Sequence, residues 1–179
     1  MPFATATEGG TSVIGLAQLA SKPAIEEQLY ETDFARWLEQ QAQALKERRC
    51  AALDWNNLAE EIEGLVRSDR RALKSFLRNA LVHMLELAYW QSEREHNERQ
   101  WRQHLLNARA EIAAILEDSP SLERHLANVF ESAYRAARCE AETLIGEELP
   151  EQCPWALQQV QSDTFYPLVA PPLRQGRRQ

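Results

Sequence analysis

Cysteine is scarce in this chain of 179 residues, and its pattern excludes two kinds of structure. The three cysteines are Cys50, Cys139 and Cys153. Their number is odd and no two form a C-x-x-C pair, so the sequence offers neither a disulfide framework nor a recognisable four-ligand zinc site. We expect reduced, structural thiols in a cytoplasmic protein.

Proline and glycine are also rare over most of the chain. No proline lies between Pro23 and Pro120, and Gly64 is the only glycine in that stretch. Strands joined by tight turns need many more of these residues. The commonest residues are alanine, leucine and glutamate, with 25, 23 and 22 copies, and all three lose little side-chain entropy in a helix. The sequence therefore predicts an all-α fold.

Long apolar runs and an excess of basic charge are absent as well. No window approaches the roughly 18 consecutive apolar residues of a membrane span, so we expect no membrane partner. The first ten residues lack the cationic start of a signal peptide, which favours a cytoplasmic location. The chain has 20 Lys and Arg against 27 Asp and Glu, a net charge of −7, which argues against nucleic acid as a partner.

Apolar periodicity predicts four amphipathic helices with short links, and therefore an antiparallel four-helix bundle. The predicted helices run from Thr32 to Arg49, from Asp54 to about Trp90, through Trp101 to Asp118, and from Ser121 to Gly146. The second helix is the longest, and a kink at Gly64 or a break at Ser68 is left open. Residues 1–28 are expected to be poorly ordered, 29–170 to form a single helical domain, and 171–179 to be a frayed basic tail.

The second predicted helix opens with a distinctive string. LDWNNLAEEIE at 53–63, preceded by YETDF at 30–34, resembles the signature of the bacterial domain-of-unknown-function family twenty-nine. The motif residues that we single out are Asp54, Trp55, Glu60, Glu61, Glu63, Ser68 and Trp101. The sequence departs from the family pattern at Val66 and over 91–100. The resemblance implies an all-helical fold over about 30–167, and the family has no assigned activity.

The acidic residues of this string form the densest polar cluster. Two carboxylates held close together can act as acid and base or bind a divalent metal. Residues on one helix face are three or four positions apart, so Glu60, Glu61 and Glu63 do not share a single face. We interpret Asp54 as a helix cap and Glu63 as an ion-pair partner of Arg67. No catalytic residue and no cofactor is predicted here.

Asp69 is predicted to lie in the middle of the apolar stripe of the second helix. At about 100° per residue, it falls between Leu65 and Ile62, which are expected to face the core. A buried carboxylate is costly unless it is paired and hydrogen-bonded. We therefore expect Asp69 to be buried and paired, with Arg109 as the candidate partner, and a polar site inside the bundle is the functional alternative.

The histidines suggest a metal site only in part. With a rise of about 1.5 Å per residue, the levels of His83 and His104 along the bundle agree within about 5 Å. The level of His125 differs from that of His104 by about 14 Å. Three-histidine coordination is therefore excluded for an up-down bundle. Glu93-x-x-His96 is one Glu-x-x-His motif where a di-iron bundle needs two. We expect no metal, and His83 and His104 are the candidates that remain.

The second half of the long helix is apolar over more than half of its circumference, so it must be covered on two sides. The side that faces away from the bundle core would carry Leu77, Leu81, Met84 and Leu85. Either the 149–170 segment or a second copy of the chain could cover it. We favour the segment, because its aromatic residues would otherwise be left on a polar strip.

No catalytic motif is present, and the leading hypothesis is a non-enzymatic bundle that acts by protein–protein contact as an accessory or regulatory factor. The alternative is a metal-dependent bundle enzyme or small-ligand binder that uses His83, His104 and a carboxylate such as Asp69. A third class is nucleic-acid binding through the basic run Arg67, Arg70, Arg71, Lys74 and Arg78. The sequence names no partner, and a homo-oligomer is possible.

Overall fold

The computed structural model describes residues 29–170, and this part of the chain is helical with no strand. The α-helices are α1 (Phe34–Lys46), α2 (Trp55–Tyr89), α3 (Gln91–Asp118), α4 (Glu123–Ile145) and α5 (Leu157–Gln161). Short 3₁₀ helices span Cys50–Ala52 and Pro120–Leu122. The all-α prediction is confirmed, and the antiparallel four-helix bundle stays a prediction. The predictions for 1–28 and 171–179 lie outside the described residues.

The helix boundaries follow local capping chemistry. Asp33, not Thr32, caps α1, because its carboxylate accepts the backbone N–H of Arg36 at 3.1 Å. The long helix α2 passes Gly64 and Ser68 without a break. A 3₁₀ turn occupies the predicted start of α4 at Ser121. The helix α4 is capped at its C-terminal end by Gly146, whose φ of 80° is readily adopted only by glycine.

The described residues divide into two compact units between Ile62 and Glu63, and the single domain expected over 29–170 stays a prediction. In the unit that ends at Ile62, Trp37 is fully buried. The centroid of its ring lies 4.9 Å from that of Tyr30 and 5.7 Å from that of Phe34. Gln41 and Ala44 complete the buried side of α1.

The unit that follows contains a large apolar core. Its fully buried side chains include Leu73, Leu77, Leu81, Met84, Leu85, Leu105, Ile112, Leu126 and Val160. The 149–170 segment packs against this core with Trp155, Phe165 and Tyr166. Its last described residue, Ala170, donates its backbone N–H to the carbonyl of Ala88 at 2.9 Å.

One part of the predicted core is wrong. Ile62 and Leu65 were expected to face the core, yet they are 62% and 67% exposed. The apolar stripe of α2 is therefore buried from Leu73 onward and open before it. Among the helices of residues 29–170, none combines the length and apolarity needed to cross a membrane.

Candidate functional site

The signature string begins with a capped helix start. Asp54 accepts the backbone N–H of Asn57 at 3.3 Å through Oδ1, and the Asn57 side-chain amide at 2.7 Å through Oδ2. Its own backbone N–H donates to Oε1 of the buried Gln41 at 2.9 Å. The predicted cap is therefore confirmed, and Gln41 ties α1 to the start of α2.

Two carboxylates of the string, Glu61 and Glu63, have different partners. The Tyr30 hydroxyl donates to Oε1 of Glu61 at 2.6 Å. Glu63 forms the predicted ion pair with Arg67 at 3.1 Å. Among the described residues, no group of three or more His, Cys, Asp or Glu side chains could hold a metal ion. The contacts of Glu61 and Glu63 are therefore with Tyr30 and Arg67 rather than with each other.

The Tyr30–Glu61 bond makes stability depend on pH in the alkaline range. The hydrogen bond to Glu61, followed by burial and the negative charge of that carboxylate, raises the pKa of Tyr30 from 10.0 to about 12. A group whose pKa is raised on folding stabilises the fold fully below its unfolded pKa, and this contribution is lost as the pH rises through the folded pKa.

We predict that Tyr30→Phe lowers stability by a constant amount below about pH 10, and that the difference from the parent protein shrinks between pH 10 and 12. Urea unfolding followed by circular dichroism at a series of pH values measures this difference. Glu61→Gln is the matched control, because it should remove the same alkaline dependence. A difference that stays constant up to pH 12 would contradict the prediction.

The beginning of α2 carries an exposed apolar stripe, which we define as Trp55, Leu58, Ile62, Leu65 and Val66. At about 100° per residue, these side chains lie on one side of the helix. Leu58 is partly buried, whereas Trp55 is 59% and Val66 43% exposed. Large apolar side chains that share an exposed helix face indicate an interaction surface.

Asp69 follows the stripe on the same face, and it is partly exposed rather than buried. The predicted pair with Arg109 is wrong, because the guanidinium of Arg109 bonds elsewhere. It donates to the backbone carbonyls of Val160 at 2.7 Å, Gln159 at 3.3 Å and Phe165 at 2.9 Å. Burial lowers the pKa of Arg109, which is 2% exposed. Arg109 therefore holds the 149–170 segment in place.

Two histidines meet on neighbouring helices. The rings of His83 on α2 and His104 on α3 have centroids 4.9 Å apart. This distance agrees with the prediction that the two histidines lie near one level of adjacent helices. His83 Nδ1 lies 2.6 Å from Oε2 of Glu86, which is buried. Sequence reasoning missed Glu86. The signal was available, because His83 and Glu86 are the only ionisable residues in ALVHMLELA at 80–88 and their i, i+3 spacing places them together.

The other candidates do not converge on a site. Glu93 and His96 are both exposed, and Glu93 bonds to Asn97. Ser68 is exposed, and Trp101 is buried in a stack with Trp90 at 5.5 Å between centroids. The basic run is partly neutralised within the chain, since Arg78 pairs with Glu140 at 3.6 Å.

The family model described as Domain of unknown function DUF29 matches residues 29–166, well over half of the chain. The chain belongs to the DUF29 family. Neither the comparison with curated proteins nor that with solved structures gave a match. The matched range includes the Asp54 cap, the Tyr30–Glu61 bond and the exposed stripe.

Proposed function

We propose that this DUF29 protein acts by protein–protein contact, and that the apolar stripe of α2 binds a basic amphipathic helix of another protein. The observation that carries the proposal is the exposure of Trp55, Ile62, Leu65 and Val66 on one helix face. Burying a large apolar side chain contributes about 1.5–3 kcal/mol, so a partner that covers several of them gains substantial affinity. From Trp55 to Val66 the stripe is about 16.5 Å long at 1.5 Å per residue, enough for three turns of a partner helix.

The charges around the stripe favour a basic partner. Glu61 and Glu63 flank it on opposite sides, and Asp69 lies on its face. Among the residues of α2, Arg70 is the one basic residue at its edge, so the charge that α2 places beside the stripe is negative, as is that of the whole chain at −7. Lysine or arginine beside the apolar residues of a partner helix would complement these carboxylates.

The same charges disfavour a second copy of the chain. A two-fold axis through the middle of the stripe passes near Ile62 and pairs two copies of α2 in antiparallel orientation. Glu61 would then face the Glu61 of the other copy, and Glu63 would face the other Glu63. Like charges that face each other weaken an interface. The partner is therefore proposed to be a different protein.

The long helices α2, α3 and α4 are joined by short connections. We infer that these helices pack as an antiparallel bundle, because α2 and α3 are separated by Trp90 alone and α3 and α4 by 119–122. Short connections between long helices place neighbours antiparallel.

The test uses a synthetic amphipathic peptide with leucines on one face and lysines on the other. We expect it to bind in fluorescence anisotropy and to shift the emission of Trp55 to the blue, with no such shift in Trp55→Phe. Ile62→Ser/Leu65→Ser should weaken binding at least about tenfold, because the two lost contacts exceed 1.4 kcal/mol together. Leu144→Ser is the matched control, since Leu144 is 48% exposed on another helix.

Three outcomes would contradict the proposal. The peptide binds Ile62→Ser/Leu65→Ser as tightly as it binds the parent protein. A peptide with glutamates in place of the lysines binds equally well. Light scattering finds a dimer that Ile62→Ser/Leu65→Ser converts to a monomer, in which case the stripe binds a second copy.

A further inference from the structure

We propose that His83 and His104 form a binding site for a divalent transition metal ion, and that Glu86 orients His83 within it. This site lies beyond Asp69 on α2 and is independent of the apolar stripe. Its two imidazoles come from α2 and α3, and one side of the pair is accessible, because His104 is exposed and His83 partly so.

The separation of the rings fits one shared ion. A metal about 2.0–2.1 Å from one nitrogen of each imidazole, at a tetrahedral angle, holds the two ring centroids about 5 Å apart. The centroids of His83 and His104 are 4.9 Å apart with the ring planes inclined by 53°. The rings are therefore inclined to each other rather than stacked face to face, and their separation is the one that two imidazoles sharing an ion require.

Glu86 gives this pair a feature that a chance contact between histidines lacks. Nδ1 of His83 lies 2.6 Å from the Glu86 carboxylate. In the tautomer in which Nδ1–H donates to this carboxylate, the lone pair on Nε2 is free for a metal. Histidines that bind metals commonly donate their other ring N–H to a carboxylate, which fixes the tautomer and increases the basicity of the ligand. Glu86 is also buried, which restricts the movement of its carboxylate away from His83.

The site provides two protein ligands, and water completes the coordination. This agrees with the finding that no three such donors among residues 29–170 are arranged around one point. Imidazole ligands suit zinc, copper, nickel and cobalt better than magnesium or calcium, which prefer oxygen. A site with open positions can also take a donor atom from a bound molecule.

The test is isothermal titration of the untagged full-length protein with Ni²⁺ and with Zn²⁺. We expect one ion per chain. Glu86→Gln should weaken binding about 10- to 100-fold, because it keeps the hydrogen bond but removes the charge. His83→Asn and His104→Asn should each weaken binding at least as much, because each removes a ligand. His96→Asn and His125→Asn are the matched controls and should bind as the parent does.

Two controls keep the result unambiguous. Cys50 and Cys139 are exposed thiols that could bind zinc, so the titration is repeated with Cys50→Ser/Cys139→Ser. Because His104 is exposed, His104→Asn is expected to keep the thermal melting curve of the parent. Absence of binding, equal binding by His104→Asn, or binding that disappears with the two cysteines would each overturn the site. None of these outcomes bears on peptide binding by the apolar stripe.

Discussion

Arg109→Met is expected to destabilise the protein by about 3–5 kcal/mol, because several buried carbonyls lose their hydrogen-bond donor at once. The guanidinium is buried and donates to three backbone carbonyls of the 149–170 segment. Methionine fills part of the space but donates no hydrogen bond, so these carbonyls would be left without their donor, at about 1–3 kcal/mol for each that stays buried. Urea unfolding measures the loss.

Release of the segment should accompany this loss of stability. Limited proteolysis of Arg109→Met should cut within 149–170 faster than in the parent protein. Arg109→Lys should fall between the two, because an ammonium group keeps the charge but cannot reproduce the planar fork of the guanidinium. Arg70→Met is the matched control, since Arg70 is exposed on α2. If Arg109→Met has the same urea midpoint of unfolding as the parent protein, Arg109 does not hold the 149–170 segment in place.

Truncation after Pro150 is expected to have a still larger effect. It removes the fully buried Val160 and the partly buried Trp155, Phe165 and Tyr166 from the core. At about 1.5–3 kcal/mol per large apolar side chain, the loss exceeds about 5 kcal/mol, which is comparable to the total stability of many domains. The shortened chain should therefore lose its cooperative melting transition and self-associate through the uncovered face of α2.

Three measurements test the role of the segment. Calorimetry and light scattering report the melting transition and the oligomeric state of the shortened chain. A separate peptide of residues 151–170 should restore the transition when it is added in excess. Truncation after Ala170 is the control, because it leaves every described contact of the segment in place. A chain ending at Pro150 that keeps the parent's stability and oligomeric state would show that the segment does not cover this face.

Much of the fold could be predicted because helices depend on local sequence. The capping of α2 by Asp54 and the end of α4 at Gly146 follow from residues within one turn of each boundary. The level of His83 and His104 could also be predicted, because the rise per residue and a short connection determine which turns of two adjacent helices meet. The contact of Glu86 with His83 could have been predicted as well, because the two residues are an i, i+3 pair in an apolar run.

The sequence by itself therefore determined the helical class, the approximate helix boundaries and the apolar face of each helix. Only the tertiary structure decided which parts of those faces are buried. Leu65 and Leu73 belong to one continuous stripe of α2, yet Leu65 is exposed and Leu73 is buried. Arg109 likewise binds carbonyls about fifty positions away along the chain rather than Asp69. The physical reason is that periodicity describes one helix, whereas burial depends on which distant segments pack over it.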